Sequence, residues 1–187
     1  MRLAARLAVP AAAGYLLGSV PTSDLVSRDV DLRAVGDRNP GWWNAREALG
    51  ARAARPVLAG DIAKGAAGAA IGRLLARPGE WWMPVIGGGA AMLGHAWPLF
   101  ARFRGGRSVA TFGGAAAIIS PVTTAAAISA GVLAGRATGS AARGIQAGFV
   151  AYPVVQLAVD GPRRTAATGV LMSFIGLRFA IARGQKG

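Results

Sequence analysis

Residues 109–136 read VATFGGAAAIISPVTTAAAISAGVLAGR, a run with no charged residue before its final arginine. The run is longer than the roughly 20 apolar residues that one helix needs to cross a bilayer. Ser120-Pro121 lies near its middle, and proline both lacks an amide donor and disfavours helix at the residue before it. We therefore expect two short helices that meet at Ser120-Pro121.

Apolar runs of similar length recur through the rest of the chain. They cover residues 4–25, 56–76, 82–100, 143–160 and 164–182, close to the roughly 17–25 residues that a bilayer requires. With the two halves of 109–136 they predict an all-α, polytopic integral membrane protein of about seven transmembrane helices, some short, in a single domain over residues 1–187. Six spans are the alternative if 109–136 forms one helix.

The composition supports a membrane protein. Hydrophobic residues make up 53% of the chain and charged residues 16%, and the mean hydropathy is +0.41, which is unusual for a soluble domain. The absence of cysteine excludes disulfides and thiol chemistry, and a single histidine excludes His-rich metal sites. The net charge of +13 comes from short clusters between apolar runs, so we expect anionic ligands and no nucleic acid.

The distribution of arginine and lysine predicts the topology. Seven spans with the N-terminus outside place fourteen of these residues on the inner side and six on the outer, whereas six spans give eleven and nine. Because basic residues collect on the cytoplasmic side, we favour seven spans, the first of them a retained span and not a signal peptide. The loops at 27–55 and 101–108 are then expected to lie together at the cytoplasmic face of the cell (inner or plasma) membrane.

The second of these loops has the features of a phosphate site. Arg104-Gly105-Gly106-Arg107-Ser108 leads directly into the helix expected to begin near 109. Glycines allow close backbone approach, a helix N-terminus offers free amides, and arginine binds phosphate oxygens through two hydrogen bonds. The alternative is a basic cytoplasmic loop without a ligand.

The loop at 29–44 is less specific. Its glycines, proline and asparagines favour tight turns, in which successive amides converge on an anion. The alternative is an ordinary turn whose Trp42 and Trp43 rest at the lipid interface.

Two further features place ionisable groups inside apolar runs. Asp61 and Lys64 are three residues apart on one helical face, and charges within a membrane helix are functional candidates unless they merely pair to join two helices. His95 is either a proton-transfer group or a hydrogen-bonded residue near the interface. The sequence leaves both alternatives open.

Four motifs, in this order, resemble the bacterial acyl-phosphate:glycerol-3-phosphate acyltransferases of the PlsY family over nearly the whole chain. Residues 15–21 look like the family's opening helix motif, and 31–44 are similar to its Gly-Ser-Gly-Asn loop. Residues 61–65 match its Asp-x-x-Lys-Gly. Residues 94–111 resemble its Gly-His-x-x-Pro and Phe-Lys-Gly-Gly-Lys-Gly-Val-Ala-Thr block.

The resemblance implies an enzyme of membrane lipid metabolism that binds acyl phosphate and glycerol 3-phosphate at its cytoplasmic loops. It implies transfer of the acyl group to the sn-1 hydroxyl, which gives lysophosphatidic acid for phospholipid biosynthesis, with no cofactor and no metal. It implies catalytic roles for His95, Lys64 and Asn44. It further implies substrate phosphate binding by Arg38, Asn39, Gly41, Arg46, Arg104, Gly105, Gly106, Arg107, Ser108 and Ser140.

Several residues depart from the family's pattern. Asp37 stands where the family has serine and is expected to repel phosphate unless Arg38 neutralises it. Glu47 falls at a functional arginine, and Arg107 replaces a lysine. The family's C-terminal His, Asn and Glu find no counterparts in residues 175–187, where Gln185 is the nearest analogue of the glutamate.

These departures leave two alternatives to acyl transfer. One is a degenerate relative that binds lipid or acyl phosphate without turnover. The other is a small membrane transporter in which Asp61 and Lys64 serve as relay or packing groups. Release of phosphate from acyl phosphate separates the enzyme from both.

Overall fold

The computed structural model describes residues 3–27 and 29–184, and this part of the chain contains helices and loops but no strand. The all-α prediction is therefore confirmed. The helices are α1 (Leu3–Gly18), α2 (Thr22–Val26), α3 (Trp42–Leu49), α4 (Ala51–Leu75), α5 (Met83–Ala96), α6 (Val109–Ile119), α7 (Pro121–Thr138), α8 (Ala141–Asp160) and α9 (Pro162–Gly184). A short 3-10 turn at Leu99–Ala101 follows α5.

The predicted break at Ser120-Pro121 is confirmed. Helix α6 ends at Ile119, Ser120 has a non-helical backbone (φ −144°, ψ 75°), and Pro121 is the first residue of α7. Proline is well suited to this first position because its missing amide would have no partner there. The fold thus has seven longer helices near the predicted spans, together with the short α2 and α3.

Two predicted boundaries were wrong. The run 4–25 is not one helix, because α1 ends at Gly18 and the chain turns through Pro21 before α2 begins. Helix α4 begins at Ala51 and continues through Pro56, which lies close enough to the start of the helix that little of the hydrogen-bond ladder is lost. The extra turn brings α4 directly onto α3.

The helices expose apolar side chains as a lipid-facing surface requires. Leu74, Leu133, Val150 and Val170 leave between 67% and 84% of their surface uncovered, and large exposed apolar areas mark contact with lipid or partners. Within the described residues, Pro162–Ala182 is the helix that is long and apolar enough by itself to cross a membrane. The other spans are shorter or carry more polar residues.

Close crossings between helices determine the position of the candidate site. Helices α4 and α6 cross through Gly65 and Gly114, where a methyl group would overlap the carbonyl oxygens of Thr111 and Ile62 respectively. Small residues let membrane helices approach this closely. The crossing brings the middle of α4, with Lys64, next to the start of α6.

A buried polar network joins the broken helix pair to the last two helices. Gln156 of α8 donates to Ser120 Oγ at 2.8 Å, and Thr168 of α9 donates to the Gln156 side-chain oxygen. All three residues are buried. Since unsatisfied polar groups are costly in an apolar interior, this network fixes how α8 and α9 sit on the α6–α7 turn.

Candidate active site

The two loops singled out in the sequence, 27–55 and 101–108, lie against each other. Arg33 Nε donates to the carbonyl oxygen of Arg104 at 2.7 Å. The Arg107 guanidinium lies 2.6 Å from Asp37 Oδ2. These contacts confirm that the segments 27–55 and 101–108 come together, and they form one site beside the middle of α4, the end of α5 and the start of α6.

A buried cluster of ionisable groups lies beneath the loops. Asp61 is 2% exposed, and its Oδ1 lies 2.9 Å from Lys64 Nζ and 3.3 Å from His95 Nδ1. Thr22 Oγ1 donates to the same oxygen at 2.6 Å, and Lys64 Nζ donates to the carbonyl of Val20 at 3.2 Å. The carboxylate is therefore compensated by a cation and a hydroxyl, as a buried charge requires.

His95 is in contact with the glycine pair. The amide of Gly106 donates to the His95 carbonyl at 3.0 Å. A methyl group at Gly105 would overlap that carbonyl, and one at Gly106 would overlap the imidazole Nε2. Only glycine permits this approach. The two glycines that were expected to allow close backbone approach therefore do so against His95.

The cluster opens into a narrow cleft with about 10 Å³ of room, enough for about one water molecule. Among its lining residues are Arg33, Lys64, His95, Gly105 and Gly106. They come from two helices, α4 with Lys64 and α5 with His95, and from two loops, one with Arg33 and one with the two glycines. The cleft is the point where the predicted catalytic pair Lys64 and His95 meets the loops.

A second cleft, of about 100 Å³, lies on the other side of Gly105 and is rich in arginine. We call it the arginine cleft, and it is lined by Asp37, Arg38, Asn39, Gly105, Arg107, Arg178, Ile181 and Ala182. Its lining contains three arginines and one aspartate. Such a charge excess favours a bound anion.

The partner of Asp37 differs from the one expected. The sequence suggested that Arg38 neutralises Asp37, but the Asp37 carboxylate pairs with Arg107 and its Oδ1 accepts the amide of Asn39 at 3.1 Å. Arg38 has a left-handed backbone (φ 59°) and an exposed side chain. Arg107, the best candidate for phosphate, thus already holds an internal anion.

Arg178 was missed by the sequence reasoning. It lies on α9 and reaches the carbonyls of Gly105 and Gly106, and its guanidinium lies 4.9 Å from the centre of the Trp97 ring. The sequence signal was an arginine in the interior of the apolar run 164–182, where a charge is a functional candidate.

Asn44 and Arg46 lie outside both clefts. Asn44 is buried and donates to the carbonyls of Leu32 and Val35 at 2.7 and 3.1 Å, so its contacts hold the loop that carries Asp37. Arg46 is stacked on Trp42 and Trp43 at 5.7 and 5.6 Å. The catalytic role of Asn44 and the phosphate role of Arg46 stay predictions.

The structure gives the contacts or the exposure of four other predicted phosphate ligands. Ser108 is buried and donates to the Met92 carbonyl at 2.8 Å, and Gly41 precedes α3 as its N-cap. Arg104 has an exposed side chain. Ser140 caps α8 by accepting the amide of Arg143 at 3.4 Å.

An apolar groove begins beside the site. It holds about 750 Å³ between α6, α7 and α8, and its lining includes Val109, Phe112, Gly113, Arg136 and Tyr152. Val109 and Arg136 lie at the end of the groove near the loops, and Tyr152 lies deeper along α8. Most of the wall is apolar, as sites for hydrocarbon chains are.

Comparison with known proteins finds similarity to one family, first through its family model and then through individual relatives. The family model described as glycerol-3-phosphate acyltransferase matches residues 8–185. Two relatives named glycerol-3-phosphate acyltransferase come from Rubrobacter xylanophilus (44% identical, 58% of this chain and 54% of the relative) and Symbiobacterium thermophilum (42% identical, 70% and 65%). The chain spans about half to two thirds of the length of these curated relatives.

The fold is also similar to solved structures. The glycerol 3-phosphate form of PlsY (YgiH), an integral membrane glycerol 3-phosphate acyltransferase, superposes with a TM-score of 0.83 at 24% identity, over 96% of this chain and 90% of that one. The lysophosphatidic acid form gives a TM-score of 0.79 at 24% identity, over 97% and 92%. The architecture described above is therefore an integral membrane fold.

Proposed function

The chain belongs to the glycerol-3-phosphate acyltransferase family, and from this premise we propose that it transfers an acyl group from acyl phosphate to the sn-1 hydroxyl of glycerol 3-phosphate. The products are lysophosphatidic acid and inorganic phosphate. The named relatives and the PlsY structures are described as glycerol-3-phosphate acyltransferases, which supports the acceptor and the transferred group.

The observation that carries this proposal is the position of Gly105 between two clefts. On one side lie Lys64 and His95, and on the other lie Arg107 and Arg178. The reaction needs a phosphate held on one side of the acyl carbon and a hydroxyl with its proton acceptor on the other. Two clefts that share one glycine supply this arrangement.

We assign the donor to the arginine cleft and the apolar groove. Arg107 lines the cleft and Val109 lines the groove, with only Ser108 between them. A donor whose phosphate binds Arg107 therefore has its acyl chain at the mouth of the groove. Arginine suits this role because its planar donor group matches two phosphate oxygens.

We assign the acceptor to the narrow cleft, which has to widen to admit it. The acceptor hydroxyl oxygen attacks the acyl carbonyl carbon, the bond from that carbon to the phosphate oxygen breaks, and the phosphate leaves. His95 takes the hydroxyl proton, and Asp61, 3.3 Å from its Nδ1, stabilises the resulting imidazolium. Lys64 uses two of its three N–H donors on Asp61 and Val20, which leaves one for a substrate oxygen.

The acyl phosphate is an activated mixed anhydride, so this scheme needs no covalent enzyme intermediate. Holding both substrates in position and stabilising the departing phosphate supply the acceleration. The proposed location is the cell (inner or plasma) membrane, with several spans and both loops on the cytoplasmic side. The excess of arginine in those loops supports it.

A direct assay tests the proposed function. Purified protein in detergent or vesicles is supplied with palmitoyl phosphate and glycerol 3-phosphate, and both lysophosphatidic acid and inorganic phosphate are measured over time. We expect equal amounts of the two products, and none without glycerol 3-phosphate. Binding of palmitoyl phosphate without either product would contradict the proposal and identify a non-catalytic relative.

The groove assignment predicts a change in donor preference when Gly113 is replaced by leucine. A methyl carbon added at Gly113 meets no atom within 4 Å, and Gly113 lines the groove, so we expect a leucine there to extend into the groove. We expect transfer from palmitoyl phosphate to fall roughly tenfold relative to transfer from octanoyl phosphate. The comparison of kcat/KM for the two donors measures this effect.

Gly169→Leu is the matched control for this variant. Gly169 on α9 also has no atom within 4 Å of an added methyl group but does not line the groove. We expect it to leave the donor preference unchanged. An equal loss for both donors in Gly113→Leu would show that the acyl chain lies elsewhere.

A further inference from the structure

The side chain of Arg178 connects the last helix to the glycine loop. Its Nε and Nη2 both donate to the carbonyl of Gly106 at 3.2 Å, and Nη2 also donates to the carbonyls of Ala96 and Gly105 at 3.3 Å. The stacking on Trp97 fixes the plane of the guanidinium. One side chain thus holds three carbonyl oxygens around the loop.

Phe179, the next residue of α9, contacts the side chain of Arg107 in the same loop. The Phe179 ring centre lies 4.6 Å from the Arg107 guanidinium carbon, and Arg107 also pairs with Asp37. Neighbouring residues on a helix point about 100° apart. Arg178 and Phe179 therefore contact the backbone of the glycine loop and the side chain of Arg107 separately.

The direction of the carbonyls determines the direction of the amides. A peptide unit is planar and trans, so a carbonyl turned toward Arg178 turns the following amide to the opposite side. The Gly106 amide accordingly donates to His95. The Gly106 carbonyl is likewise turned toward Arg178, so the Arg107 amide points to the side away from Arg178.

We infer that Arg178 is a positioning residue for acyl transfer, covering the Gly105 and Gly106 carbonyls with its hydrogen bonds so that a phosphate in the arginine cleft binds the Arg107 guanidinium. This inference rests on the proposed function. Without Arg178, two carbonyl oxygens with partial negative charge are left on the side of the cleft without a donor. The phosphate site then loses a cation and meets two repulsive groups.

The test replaces Arg178 by alanine and by lysine in the full chain. Both variants are assayed with palmitoyl phosphate and glycerol 3-phosphate, and inhibition by inorganic phosphate is measured with each. For Arg178→Ala we expect a kcat roughly tenfold lower and an inhibition constant for phosphate roughly tenfold higher. Arg178→Lys keeps the charge but cannot reach three carbonyls at once, so we expect it to recover less than half of the lost activity.

Arg163→Ala on the same helix is the control. Arg163 has an exposed side chain and lines neither cleft, so its loss removes the same charge without touching the loop. We expect wild-type kcat and phosphate inhibition in this variant. Thermal unfolding of every variant identifies any general loss of structure, and the lysine variant keeps the test valid if Arg178→Ala does not fold.

The outcomes separate this inference from the proposed function. If the unmodified protein transfers acyl groups and Arg178→Ala retains both kcat and phosphate inhibition, the positioning role is overturned. Full recovery by Arg178→Lys also overturns it, because charge alone then suffices. If the unmodified protein shows no transfer, the proposed function fails, and binding of inorganic phosphate by the unmodified and alanine proteins still decides the role of Arg178.

Discussion

Replacing Lys64 by methionine is expected to lower acyl transfer by on the order of a hundred- to a thousandfold, the loss found when a preorganised donor is removed from an active site. The side chain keeps most of its length but loses the cation 2.9 Å from Asp61 and the N–H assigned to substrate. The measurement is kcat/KM with palmitoyl phosphate and saturating glycerol 3-phosphate. The same variant is expected to be less stable, since breaking a buried pair costs about 3–5 kcal/mol.

A double variant separates catalysis from stability. Asp61→Asn combined with Lys64→Met removes both charges, so the uncompensated buried carboxylate is gone and the melting temperature is expected to return toward the wild-type value. Transfer is expected to remain low, because the N–H assigned to substrate is still missing. Recovery of transfer together with stability would show that Lys64 only neutralises Asp61.

Replacing Arg107 by alanine is expected to lower kcat/KM for acyl phosphate roughly ten- to hundredfold, the equivalent of one hydrogen bond to a charged group. The arginine cleft loses the cation that the segment 101–108 itself supplies, and Asp37 is left without its partner at 2.6 Å. The excess of positive charge in the cleft is then smaller, and the unpaired Asp37 carboxylate opposes phosphate binding. Initial rates over a range of palmitoyl phosphate concentrations measure the change.

Substitution of Asp37 tests whether the effect of Arg107→Ala comes from a shared phosphate site. Asp37→Ser alone releases Arg107 from its internal partner, so we expect tighter inhibition by inorganic phosphate. In Arg107→Ala, adding Asp37→Ser is expected to restore part of the lost activity, since the repulsion is removed. Asp29→Ser, which removes the same charge from an exposed position in the same loop, is the control. Purely additive effects of the two changes would contradict a shared phosphate site.

The sequence was sufficient for those features that depend on local pattern. Ser120-Pro121 predicted the break between α6 and α7 because proline restricts the backbone wherever it stands. The short spacing of Asp61 and Lys64 predicted their ion pair, since three residues along a helix bring side chains together. The motif order placed Lys64, His95 and the glycine pair in one region, and the structure brings them together.

The features that were missed depend on how distant segments pack. Asp37 and Arg107 are 70 residues apart in sequence, and Arg178 contacts a loop more than 70 residues before it. Because Arg38 is adjacent to Asp37, the sequence suggested that these two residues pair. Arg38 instead has a left-handed backbone, and Asp37 pairs with Arg107. Such pairings follow from helix crossings and loop paths, which short-range sequence spacing does not specify.

The contact between α9 and the glycine loop has a consequence during protein synthesis. The chain is made from its N-terminus, so α9 leaves the ribosome after the clefts' other helices have been made. Until α9 inserts, the Gly105 and Gly106 carbonyls lack Arg178 and the Arg107 side chain lacks Phe179. A nascent chain that stalls before α9 therefore lacks the contacts of Arg178 and Phe179 with the loop.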